Sequence, residues 1–206
     1  MNPTIASRLT PISNEMARNI ILAVLGSLIV AGAAQISIPM WPVPMTLQSL
    51  AVLVVGGAYG ARLGAATLAL YAVEGAVGLP FFAGGKHGIF DAKLDYLFPS
   101  GSMGYVVGFI LAAALVGYLA QSGWINSFAR MIVASLLGAA VLYVPGLLWL
   151  GVWAAKTQGM DLSAATNAAF NWGLIPFIPG DIIKAVIAGL GLSSTWKSVD
   201  WNSVKK

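Results

Sequence analysis

There is no cysteine in this chain, so disulfides, thiol nucleophiles and cysteine-ligated metals are excluded. A lone histidine, His87, likewise excludes a multi-histidine metal centre, and its neighbours Lys86 and Asp91 mark it as a solvated loop residue. Charge is the third scarcity. Asp, Glu, Lys and Arg make up 9% of the residues, against about 25% in an ordinary soluble domain. The net charge of +4 is too small and too dispersed to mark a nucleic-acid surface. The phosphate-binding pattern G-x-x-x-x-G-K followed by Ser or Thr is also missing, so the chain has no such loop for ATP. No motif asks for a cofactor or a metal.

What is present is apolar: 58% hydrophobic residues, in segments that recur along the whole length with polar breaks between them. The pattern predicts an all-α integral membrane protein, one bundle of six transmembrane helices in the lipid bilayer. The spans fall at about 17–38, 47–60, 63–80, 103–121, 128–153 and 167–192, with short polar tails at 1–16 and 193–206 and no second domain. The second span is short and is separated from the third by a tight turn at Arg62. Arg18 before an apolar run, with Ala31-Gly32-Ala33 after it, also has the outline of a cleaved leader. In a chain that is multi-spanning throughout, the first helix serves as its own insertion signal.

Cations orient the bundle. With both termini cytoplasmic, Arg8, Arg18, Arg62, Arg130, Lys197, Lys205 and Lys206 lie inside. The outer loops then hold Lys86, Lys93 and Lys156, offset by Asp91, Asp95 and Asp161. That asymmetry follows the positive-inside rule.

Three ionisable residues remain inside apolar segments: Glu74, Asp181 and Lys184. A charge at the bilayer centre costs at least about 2.5–3.5 kcal/mol, so each should face protein or a polar cavity. Asp181 and Lys184 are three apart and share a helix face. They can lock the last helix as an ion pair or meet a ligand. Pro176, Pro179 and Gly180 just before them predict a helix start, with broken backbone over Asn171–Phe177 at membrane depth. Such backbone is tolerated only where it is buried or lines a cavity. About 11 residues of helix separate Asp181 from Leu192, or roughly 16–17 Å, which places the pair in the outer half. Solute capture from outside is therefore favoured over an inward-facing enzyme.

Other candidates cluster near span ends. The loop Ile38–Gln48 carries three prolines and Trp41, with Thr46 set to cap the next helix. A stiff aromatic loop can anchor at the interface or cover a pocket. Tyr71 and Glu74 share a face of the third span, Phe81 and Phe82 follow it among glycines, and Tyr105 opens the fourth. Glu74 can be protonated, paired with Lys184 or exposed to a polar cavity. On the first span Ala23, Ser27 and Ala31 recur every four residues, a spacing that permits close helix approach, internal or to a partner.

Several of these stretches together resemble the biotin-specific S components (the BioY family) of energy-coupling-factor vitamin transporters. They are Pro44-Met45-Thr46-Leu47-Gln48, Gly60-Ala61-Arg62-Leu63-Gly64, and Tyr71 with Gly78-Leu79-Pro80-Phe81-Phe82-Ala83-Gly84-Gly85. Gly104-Tyr105-Val106-Val107-Gly108-Phe109 and Pro176-Phe177-Ile178-Pro179-Gly180-Asp181-Ile182-Ile183-Lys184 complete the series. They come in the family's order and cover about residues 20–190.

The resemblance implies a six-helix S component in the bacterial inner membrane, catching biotin from outside. It also implies a transmembrane coupling protein and ATPase subunits as partners, with no catalysis by this chain. Asp181 would accept from the ureido N–H groups, and Lys184 would donate to the ureido carbonyl or to the carboxylate. Thr46, Gln48 and Tyr71 would complete the polar contacts; Trp41, Phe81, Phe82 and Tyr105 would cover the ring and tail. The small-residue stripe would be the coupling-protein surface, with Ser27 in place of the middle Ala. Two positions depart from the family: Pro99-Ser100-Gly101-Ser102-Met103-Gly104-Tyr105 is longer than the usual Pro-Thr-Gly-Gly-Tyr, and Glu74 stands where an apolar or small residue is expected. The rival readings are an S component for another vitamin, and a membrane enzyme using Asp181 and Lys184 as acid and base.

Overall fold

The computed structural model describes residues 4–10, 12–88 and 100–199. Asp91, Lys93 and Asp95, expected in an outer loop, and Lys205 and Lys206 lie outside the described residues. Eight α-helices run through the described chain: α1 (Ile5–Leu9), α2 (Glu15–Gln35), α3 (Gln48–Tyr59), α4 (Ala61–Ala76), α5 (Met103–Gln121), α6 (Phe128–Gln158), α7 (Leu162–Gly173) and α8 (Ile178–Ser198). Four stretches among the described residues are long and apolar enough to cross a bilayer: α2, α5, α6 and the α7–α8 stretch Leu162–Ser198. At 12 residues, α3 reaches about 18 Å, well short of a hydrocarbon core of about 30 Å.

Local chemistry sets the helix ends. The Asn14 side chain accepts from the Ala17 N–H at 3.1 Å and starts α2. Asp161, expected to be a plain loop acid, is the N-cap of α7, accepting from the Ala164 N–H at 2.8 Å. The turn between α3 and α4 falls at Gly60, two residues earlier than Arg62, which lies within α4. The φ of 82° at Gly60 is cheap only for glycine. Gln121 then fixes the turn by accepting from the Ala61 N–H at 3.0 Å. The fifth span runs past its expected end at 153 to Gln158, and stops at Gly159 in the left-handed region.

The stretch expected as the last span is broken, over fewer residues than expected. Asn171, Trp172 and Gly173 remain helical, and the irregular backbone is confined to Leu174–Phe177, with a single turn of 3-10 helix at Ile175–Phe177. Pro176 and Pro179 carry no N–H for an i−4 bond, so the α7 ladder cannot run on through them, while Ile178 keeps helical dihedrals and opens α8.

Helix α5 is central, packed against α3, α4 and α6; α6 packs on α7 and α8, and α2 lies on α4. Glycine permits the close contacts: a Cβ on Gly104 would meet the Pro145 carbonyl oxygen at 2.3 Å. One end of the bundle is an apolar core of Ile5, Leu53, Val116, Met131 and Leu192. The other end holds Tyr71, Tyr105, Phe109, Leu150 and Trp153.

The small-residue stripe turns inward. Ser27 is fully buried and donates to the Val24 carbonyl at 2.9 Å, Ala31 is 6% exposed, and Ala23 is half-buried. Ser27 and Ala31 thus pack within the bundle, and α2 packs on α4. The exposed face of α2 is instead the bulky row Ile20, Ile21, Val24, Leu25, Leu28 and Ile29.

Candidate binding site

The site is built on the opening turns of two helices. Asp181 lies in the first turn of α8 and Lys184 in the second, and Ser49 lies in the first turn of α3. The Lys184 ammonium stands 3.1 Å from Asp181 Oδ1 and donates to Ser49 Oγ at 3.0 Å. The Ser49 hydroxyl in turn donates to the same carboxylate oxygen at 3.2 Å. The Tyr143 hydroxyl, from α6, donates to Asp181 Oδ2 in a short hydrogen bond. The two charged side chains are 10% and 12% exposed. A pair so buried persists only when further hydrogen bonds satisfy it, and Ser49 and Tyr143 supply them.

A second polar branch begins one residue away. Gln48 Nε2 donates to the Tyr71 hydroxyl at 2.6 Å, and that hydroxyl donates to the Phe81 carbonyl at 3.2 Å. Gln48 is 5% exposed and Tyr71 wholly buried, so neither can leave its partner without a desolvation cost. Thr46 accepts from the Gln48 N–H at 3.2 Å, although the N-cap position of α3 is Leu47, one residue later than expected, and carries no side-chain cap. Tyr105 donates to the Gly173 carbonyl at 2.8 Å, tying α5 to the end of α7, and its ring meets Tyr143 edge-on at 5.9 Å.

These groups border one cavity of about 380 Å³, within the usual range for small-molecule sites. Seven of the expected residues line it: Thr46, Gln48, Tyr71, Phe82, Tyr105, Asp181 and Lys184. Three do not. Trp41 is 65% exposed and packs against Trp153 and Trp172, at 5.8 and 5.2 Å between ring centres. A short hairpin pairing Ser37 with Thr46 and Ile38 with Met45 closes the loop that carries it. Phe81 stacks on the Tyr71 ring and lends it a carbonyl, so it buttresses the wall. Glu74 sits three residues beyond Tyr71, about 60° around the helix, clear of the cavity wall. Its Oε2 is buried without a hydrogen-bond partner among the described residues, and Lys184 pairs with Asp181 instead.

The wall also contains residues not expected there, chiefly Ser49, Phe109, Tyr143, Trp149 and Phe177. His87 lines it too, beside Lys86, although both are exposed as a solvated loop requires. Gln35 holds that loop. Its Nε2 donates to the Phe82 carbonyl at 3.2 Å and its Oε1 accepts from the Gly85 N–H at 3.0 Å. The Phe82 N–H donates to the Lys86 carbonyl at 3.0 Å, and the Gly88 N–H to the Gly75 carbonyl at 2.7 Å. No cluster of three His, Asp or Glu side chains that could hold a metal occurs among the described residues.

The model of the BioY family matches residues 4–201. The chain belongs to the BioY family. Among curated proteins of this family, the biotin transporter BioY of Thermotoga maritima is 37% identical over 164 residues, covering 80% of this chain and 86% of that protein. The biotin transporter BioY of Rhizobium etli is 36% identical over 162 residues, 75% of this chain and 79% of the relative. A crystal structure of the S component for biotin from an ECF-type ABC transporter superposes with a TM-score of 0.70 at 22% identity. The match covers 96% of this chain and all of that one, and it establishes a shared fold.

Proposed function

We propose that this protein is a substrate-capture subunit that binds biotin for uptake, energised by a separate transmembrane coupling protein and ATPase subunits. The observation that carries the proposal is a buried, hydrogen-bonded Asp181–Lys184 pair on the wall of a 380 Å³ cavity, in a chain of the BioY family. The bicyclic ring of biotin offers two N–H donors and one carbonyl acceptor. Asp181 accepts from the N–H groups, and Lys184 donates to the carbonyl. Gln48, Thr46 and Tyr71 extend the polar wall, while Phe82, Tyr105 and Phe109 cover the apolar ring and chain. Satisfied hydrogen bonds in a dry pocket reject analogues that lack the ring donors. The chain provides no catalytic set, and its role is capture and release.

The whole chain, 1–206, is one membrane domain crossing the bacterial inner membrane six times, with α7 and α8 together as the last span and both termini cytoplasmic. The distribution of cations supports that orientation. The α3–α4 turn beside Gln121, the start of α6 and the end of α8 meet at one end of the bundle, since Trp196 donates to Asn126 at 2.7 Å and Lys197 lies over the Phe128 ring. Arg62, Arg130 and Lys197 thus gather at the end away from the cavity. The cavity then opens outward, where a scavenged vitamin arrives.

Purified protein titrated with labelled biotin, thiamine and riboflavin tests the reading. The expected result is saturable binding of biotin, undisturbed by excess of the other two, and recovery of the ligand unchanged. Saturable binding of thiamine or riboflavin in place of biotin would overturn it, and so would conversion of the ligand.

A further inference from the structure

We propose that Lys86, with His87 beside it, forms a carboxylate-binding subsite at the exposed rim of the cavity, reading the anionic tail of the ligand. The inference rests on the biotin reading above and assigns the second end of the same molecule. Biotin joins a neutral ring to a chain ending in a full negative charge. The Asp181 end of the cavity suits the ring and not the tail. Its one ammonium spends two N–H groups on Asp181 at 3.1 Å and Ser49 at 3.0 Å, and the third goes to the ring carbonyl in the reading above. A second carboxylate there would meet Asp181 as a like charge in a poorly solvated site, which costs far more than in water.

The tail therefore ends elsewhere on the wall. Among the described residues that line the cavity, Lys86 is the other cation, and Asp181 is the sole acid. His87 adds an imidazole donor next to it. The hydroxyls of Ser100 and Ser102, 2.6 Å apart, border the same space. The Lys86 turn is a built feature. Gln35 clamps it from α2, the Phe82 N–H closes it onto the Lys86 carbonyl, and the Gly88 N–H anchors it to α4. Its place is at the α4 edge, beyond the Gln48–Tyr71 branch, whereas Asp181 lies among α3, α6 and α8. Because Lys86 and His87 are exposed, a carboxylate held there keeps part of its hydration. The contact is accordingly cheap to form and modest in strength.

The test compares biotin with biotinamide, which keeps the ring and chain and removes the charge. Three proteins are titrated at low salt: the unaltered chain, the double variant Lys86→Ala/His87→Ala, and Lys86→Arg. The unaltered chain should prefer biotin by about three- to tenfold, the scale of a partly exposed charged hydrogen bond. The double variant should bring that ratio to about one by weakening biotin alone, while Lys86→Arg keeps the preference. A structural role would weaken both ligands together. Equal loss for the two ligands, or an unchanged ratio in the double variant, overturns the subsite. If neither ligand binds the unaltered chain, the biotin reading itself fails and takes the subsite with it.

Discussion

Two cavities lie against α6, and they share Tyr143 as a wall. The one described above measures about 380 Å³; the other, a groove between α6 and α7, measures about 590 Å³. The larger is lined by Leu147, Leu148, Val152, Ala155, Leu162, Ala165, Ala169 and Phe170, with Lys156 near the end of α6. Its Thr166 spends its hydroxyl on the Leu162 carbonyl of its own helix. Tyr143 turns its hydroxyl the other way, to Asp181. Room is therefore not what makes a site in this bundle. The smaller cavity collects an ion pair, a serine, a glutamine and tyrosine hydroxyls on a few adjoining turns, and a polar ligand needs that convergence.

The sharpest way to break the comparison is to remove the charge from the smaller cavity. Asp181→Asn leaves the Lys184 ammonium buried without its counter-ion, a change that costs about 3–5 kcal/mol in comparable pairs. Biotin affinity should fall by about a hundredfold or more, since charged hydrogen bonds contribute about 1.5–3 kcal/mol each. The Tm should fall as well. The double variant Asp181→Asn/Lys184→Met should regain much of the lost Tm but none of the affinity. If the single variant keeps its biotin affinity, Asp181 is only a structural half of an ion pair.

Tyr143→Phe comes next. It deletes the donor to Asp181 Oδ2 and leaves the ring, which still packs edge-on against Tyr105. Biotin affinity measured by titration should drop about tenfold, the value of one hydrogen bond to a charged group, with little change in Tm. An unchanged affinity would mean that Tyr143 holds the carboxylate only while the site is empty.

How much of this was legible beforehand depended on distance along the chain. Asp181 and Lys184 announce themselves, because a charge inside an apolar run is costly wherever the helix ends up. The break ahead of them was readable from Pro176 and Pro179, which act on their own neighbours. Gln48, Thr46 and Tyr71 stood out by their places near span ends, and their role through the resemblance of their stretches to a family. Tyr143 and Ser49 carried no local signal: they reach Asp181 across 38 and 132 residues, and a tyrosine or serine in an apolar helix is unremarkable until the fold brings it there. The Ala23–Ser27–Ala31 stripe was legible only in part. Its spacing correctly marked a close helix contact, but spacing does not say which side of α2 meets α4. The position of Trp41 was hidden for a related reason, since its aromatic partners, Trp153 and Trp172, lie on α6 and α7.

The smallest expected effect belongs to the larger cavity. Gly151 lines the groove, and a Cβ there would come no nearer than 3.9 Å to any neighbour, ordinary contact with Ala165 and Ala169. Gly151→Ala therefore adds a methyl group where space exists. It also replaces a residue that weakens helix interiors by about 0.5–1 kcal/mol relative to alanine. The Tm should rise slightly and biotin affinity should stay within about twofold, because the groove offers a polar ligand no hydrogen bond to lose. The same methyl group at Gly173 would meet the Tyr105 hydroxyl oxygen at 2.3 Å, so the tolerance belongs to the groove and not to glycines near α7 in general. If Gly151→Ala weakened biotin more than about fivefold, the two cavities would act as one site through Tyr143, and the contrast between room and convergence would collapse.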